Sequence, residues 1–179
     1  MNVVQPIKKI EDIQKIKKYL AKKPRDVLLF SFGINTGLRI SDILSLDVGN
    51  VKGRDHIEIR EKKTNKYKKF PLNRFLKEEI DLFVECLPGE QPLFYTQKHC
   101  RLDRTLAYRI LNKATQAVGV KERIGTHTLR KTFGYHHHKK YNDIALLQKI
   151  FNHSSPSVTL RYIGIEQDTI DESYMNFYL

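Results

Sequence analysis

Apolar residues recur at helical spacing along most of this chain and alternate at strand spacing in only one place. Leu76, Ile80, Phe83, Val84 and Leu87 trace one face of a helix that Asn73 is placed to cap and Pro88-Gly89 to stop. Leu106, Ile110, Leu111, Ala114, Ala117 and Val118 do the same from about Asp103 to Gly119. Ile10, Ile13, Ile16 and Leu20 mark a first amphipathic helix, with Glu11 and Asp12 in the first turn where the helix dipole favours acids. Pro24 opens a second helix that is apolar on most sides through Phe32 and is punctuated by Gly33 and Gly37. In "TGLRISDILSL", Ile40, Ile43 and Leu44 form an inward stripe while Arg39 and Asp42 share another face. Further helices are expected from near Thr126 or Thr128, from an Asp143 cap to Asn152 in left-handed geometry, and from Ser155-Pro156. The exception is "HIEIR" at 56–60, followed across a Thr-Asn-Lys turn by a second basic strand ending at Pro71. The expected fold class is therefore α+β, mostly α-helical, with one small antiparallel β-sheet.

At 179 residues, 40% of them apolar, the chain suits a single domain, residues 1–179, with a real core. Its longest apolar run, Val27-Leu28-Leu29-Phe30, is far short of a membrane span, and the N-terminus has no secretory signal pattern. A soluble, cytoplasmic protein is expected. Cys86 and Cys100 show no metal-ligand spacing and are expected to be reduced, partly buried thiols. His136, His137 and His138 point in different directions on a helix, so they cannot close on one ion; neither a metal nor a cofactor is expected. Lys139, Lys140 and Tyr141 read as a solvated helix end.

Charge gives the first functional direction. With 32 Lys and Arg against 20 Asp and Glu the net charge is +12, spread along the chain in lysine doublets rather than gathered in a tail. A folded surface that meets a polyanion fits this pattern. Cleaving a phosphodiester with a protein hydroxyl needs fixed cations for the non-bridging oxygens, a base for the nucleophile and an acid for the leaving oxygen. Arg39 and Arg130 are candidates for the first task, because a guanidinium keeps its charge and grips phosphate through two donors. His127 stands three residues before Arg130, so one phosphate can meet both, and its imidazole is a candidate base. Lys63 and Lys66 flank the hairpin tip and are candidate acids. Tyr162, nine residues after His153, is either an aromatic anchor or the nucleophile.

Taken together, "TGLRISDILSL", "KKTNKYKKFPL", "THTLRKTFG" and "FNHSSPSVTLRYIG" resemble the catalytic domain of the tyrosine recombinases, the phage-integrase family of DNA strand-exchange enzymes. The resemblance runs from Arg39 to Tyr162 with every element in family order. It implies that Arg39 and Arg130 clamp the phosphate, that Asp42 supports the site, and that His127 pairs with Arg130. It further implies that His153 hydrogen-bonds the scissile phosphate and that Tyr162 is the nucleophile. Lys63 falls where the family's general-acid lysine is expected, with Lys62 and Lys66 near enough for hairpin register to shift the assignment, and Lys62, Lys66 and Lys68 are expected DNA contacts. Asn152 replaces a frequent glycine before the second histidine, and Lys131 a frequent histidine after Arg130. The implied partner is double-stranded DNA, gripped by a homotetramer. Only 38 residues precede Arg39, so the family's N-terminal DNA-clamping domain is expected to be absent. The tail at 163–179, with Ile165, Ile170, Met175 and Phe177, is expected to dock on a neighbouring protomer or on its own domain. The alternatives are relaxation of DNA in the manner of a type IB topoisomerase, or a catalytically silent DNA-binding module.

Overall fold

The computed structural model of the chain describes residues 4–122, 124–125, 127–165 and 174–178. In chain order the helices are α1 (Ile10–Leu20), α2 (Pro24–Thr36) and α3 (Ile40–Ile43), then α4 (Arg74–Val84) and α5 (Arg104–Ala117), and finally α6 (Thr128–Tyr141), α7 (Ile144–Phe151) and α8 (Pro156–Ile163). Between α3 and α4 lie β1 (His56–Arg60) and β2 (Tyr67–Pro71), paired antiparallel with Ile59 opposite Lys68. Among the described residues this hairpin is the only sheet. No described helix is long and apolar enough to cross a membrane.

The caps form where the residue types place them. Asn73, Asp103, Asp143 and Ser155 each accept a hydrogen bond from the amide three residues on, which satisfies a helix-start donor that has no partner within the helix. Asn142, Asn152 and Gly164 end α6, α7 and α8 in left-handed geometry. α2 continues through Gly33 to Thr36, past the punctuation expected at Gly33. A Cβ there would stand 2.4 Å from Leu129 Cδ1, so this glycine serves close approach of α6 rather than termination.

Two apolar clusters form the interior. The larger joins Ile16, Leu28, Leu29, Phe30 and Phe32 to Ile57, Ile80, Phe94 and Leu111. The smaller gathers Leu147, Phe151, Ile163 and Ile165, with Phe133 and Tyr162 packed against it. α6 touches both sides, packing on α2 and on α7 and α8. Cys86 and Cys100 are free and exposed, not partly buried as expected: Cys86 falls in the turn after α4 and Cys100 at a chain reversal, where side chains leave the core. Ile165 is buried, while Met175, Phe177, Tyr174 and Tyr178 are exposed; Ile170 and its acidic neighbours lie outside the described residues.

Candidate active site

The seam between the two clusters is where the singled-out residues meet. Arg39 occupies the extended position just before α3 and is largely buried. Its Nη1 lies 2.9 Å from Glu61 Oε2 and 4.0 Å from Asp42 Oδ2. The Asp42 carboxylate, 2% exposed, also accepts the Lys62 amide at 3.0 Å and so fixes the start of the hairpin turn to α3.

Arg130, on the first turn of α6, is 2% exposed, yet its guanidinium has partners on both sides. It donates to the Gly37 carbonyl at 2.6 Å and the Phe151 carbonyl at 2.9 Å, and stacks 4.2 Å above the Phe151 ring. Gly37 makes this possible. Its φ of 62° turns the chain out of α2, and a Cβ there would collide with the Phe133 ring. Two helix ends thus hold one cation in a fixed direction, which is what phosphate recognition requires.

Tyr162, half-buried near the end of α8, turns its hydroxyl to His127 Nδ1 at 3.2 Å, although 35 residues separate them. Its ring packs edge-on against His153 and Phe151, with centroids at 5.0 and 5.6 Å. Burial raises the phenol above its usual value, and the Arg130 and Arg39 charges offset part of that rise. His127 caps α6 rather than lying within it, as Thr128 begins the helix. Desolvation first, and then Arg130 and other cations including Lys63, hold it below the usual imidazole value, so it is neutral at pH 7 and able to take a proton. His153, between α7 and α8, meets Thr159 Oγ1 at 3.1 Å, and burial followed by Arg130 and Arg39 lowers it to about 4.

The hairpin lysines divide in two. Lys62, Lys63 and Lys66 are exposed around the turn, which Asn65 completes with a φ of 55°. Lys68 is half-buried; its Nζ donates to the Ile150 carbonyl at 2.9 Å, and burial, then Arg130, lowers it to about 8.

Two further residues in the site were given no role from the sequence. Glu61 is fully buried beside Arg39, and Lys131 is 7% exposed with its Nζ 5.1 Å from the Tyr162 ring centroid. Glu61 was visible as the third member of the alternating series Ile57, Ile59, Glu61, an acid where the inner face calls for an apolar side chain. Lys131 gives no such signal, because a lysine on a helix is ordinarily solvated.

Paired cations, a neutral histidine against a buried phenol and a lysine-bearing turn together make a site able to transfer a phosphoryl group to tyrosine. Comparisons with known proteins give the family of the chain that carries this arrangement. The chain is 49% identical over 179 residues to the probable integrase/recombinase YoeC of Bacillus subtilis, covering 99% of this chain and 98% of that protein. It spans little more than half the length of other curated tyrosine recombinases that it matches. Its fold superposes on the XerA recombinase with a TM-score of 0.76 at 18% identity, over 98% of this chain and 64% of the other. It also superposes on a lambda integrase tetramer bound to a Holliday junction, with a TM-score of 0.73 at 19% identity, over 90% and 49% of the two chains. Residues 7–168 match the phage integrase family model, and the chain belongs to that family.

Proposed function

We propose that this chain is a site-specific DNA recombinase that cuts and rejoins double-stranded DNA through a 3′-phosphotyrosyl intermediate. The observation that carries this reading is the Tyr162 hydroxyl, 3.2 Å from a histidine depressed in pKa and packed among the Arg39 and Arg130 cations. Arg39, Arg130 and His153 bind the non-bridging oxygens of the scissile phosphate as negative charge builds on them. Tyr162 attacks phosphorus, and its proton passes to His127. The bond from phosphorus to the 5′ oxygen breaks, and Lys63 protonates that oxygen. The products are a phosphotyrosyl ester on the 3′ end and a free 5′-hydroxyl. Attack by a partner strand's 5′-hydroxyl reverses the chemistry and reseals the DNA, so neither metal nor nucleotide enters the balance.

Lys62 and Lys66 contact the DNA backbone beside the turn, and Lys68 adds positive charge beneath the clamp. Residues 1–179 act as one catalytic domain in the cytoplasm and assemble on DNA as a homotetramer, with the 163–179 tail docking on a neighbouring protomer or on its own domain. The lambda integrase tetramer supports that assembly.

The test uses nicked duplexes tiled across the DNA that flanks the gene, with a denaturing gel to detect protein joined to a 3′ end. Wild type is expected to form the adduct. Tyr162→Phe is expected to form none while binding the same DNA, because it removes one hydroxyl and leaves the cations in place. Binding by wild type without any adduct overturns the reading in favour of a DNA-binding module.

A further inference from the structure

Glu61 breaks the pattern of the strand that leads to it. Ile57 is fully buried and Ile59 packs on the same core, so alternation sends residue 61 inward as well, where an apolar side chain belongs. The structure instead buries a carboxylate there with no exposed surface. Burial by itself would raise this carboxyl, but the Thr64 hydrogen bond and the Arg39 ion pair outweigh it and hold the group below the usual carboxylate value.

Everything Glu61 holds belongs to the site. Oε2 receives the Thr64 hydroxyl at 2.6 Å from the turn that carries Lys63, and it meets Arg39 Nη1 at 2.9 Å. Asn152 Nδ2 approaches the same oxygen at 3.5 Å, one residue before His153. The backbone closes the arrangement: the Glu61 amide donates to Lys66 O, the Asn65 amide to Glu61 O, and the next amide, Lys62, to Asp42. Arg39 Nη1 is buried against Glu61 and makes no well-aligned hydrogen bond to a described residue, so the ion pair sets the direction of the guanidinium and leaves its other N–H groups to meet a phosphate oxygen.

We propose that Glu61 is a positioning residue that sets Arg39 and the Lys63 turn as one unit. The cation that grips the phosphoryl oxygens and the lysine that protonates the leaving oxygen then reach the phosphate together. This inference rests on the recombinase reading above. It separates Glu61 from a merely structural acid, because its loss affects the chemical step more than DNA binding.

The experiment compares full-length wild type, Glu61→Gln, Thr64→Val and Lys63→Ala on the same nicked duplexes, at saturating protein. Each duplex is made in two forms, one with an ordinary phosphate and one with sulfur at the bridging 5′ position, whose thiolate departs without a proton. Glu61→Gln is expected to keep its circular dichroism spectrum and its DNA affinity, and to form the adduct about 10- to 100-fold more slowly on the ordinary duplex. The sulfur duplex is expected to restore Lys63→Ala and Thr64→Val fully, but Glu61→Gln only in part, because the arginine half of the defect persists. Adduct formation by Glu61→Gln at the wild-type rate overturns the inference, as does full recovery on the sulfur duplex or a loss confined to affinity. Should Glu61→Gln fail to fold, Thr64→Val decides: a slowed rate restored by sulfur supports the coupling, and a wild-type rate rejects it. Absence of any wild-type adduct is a different failure, since it removes the recombinase reading and this inference with it.

Discussion

His153 shows what burial does to a single group in this site. Its value of about 4 lies below the 6.5 of a free imidazole, so the unfolded chain gains a proton that the folded chain refuses as pH falls through that interval. The contribution of His153 to stability is therefore complete above about pH 6.5 and is lost as pH falls toward 4. Urea unfolding at several pH values is expected to show this decline, and His153→Gln, which cannot titrate, to flatten it; an unchanged slope in the variant rejects the assignment. The residues that this histidine serves were legible because each carries its chemistry in its type: arginine for phosphate, histidine for protons, tyrosine for attack. Glu61 was signalled only by the alternation of the strand that leads to it, and the burial of Lys131 was missed because a lysine on a helix is ordinarily solvated.

At the scale of elements, the caps and apolar stripes were readable because they depend on neighbours three or four residues away. Helix α6 shows where that locality ends. Gly134 lies in its middle, where glycine weakens a helix, and nothing nearby in sequence accounts for it. The reason is packing: a Cβ there would stand 2.6 Å from Ile163 Cγ2 and 2.8 Å from Phe151 Cε2. Gly134→Ala therefore has to push α8 outward, at a cost of about 1–3 kcal/mol. Because Ile163 adjoins Tyr162, the shift carries the proposed nucleophile away from His127. The expected outcome is a lowered thermal midpoint together with a fall in adduct formation larger than the fall in DNA binding. A midpoint equal to wild type would show that α8 yields freely. Gly33 obeys the same logic, which explains why α2 passes it and ends instead at Gly37, the second of its two expected punctuation points.

For the whole molecule, the +12 charge is spread over the chain, and binding to DNA is expected to release counterions in proportion to the phosphates met. Filter binding should weaken about a thousandfold or more between roughly 50 and 200 mM salt, the slope expected for six or more contacts. Tight binding that ignores salt would reject an interaction governed by phosphates. The sequence by itself determined the helices, the one basic hairpin, the net positive charge and the residue types of the site, because periodicity, capping and charge are local or additive properties. Only the tertiary structure decided that His127 meets Tyr162 across 35 residues, that Lys68 turns inward to Ile150, and that a buried acid ties Arg39 to the lysine turn. Those facts depend on how two apolar clusters close against each other along α6, and the packing of distant surfaces is not written in the spacing of any single segment.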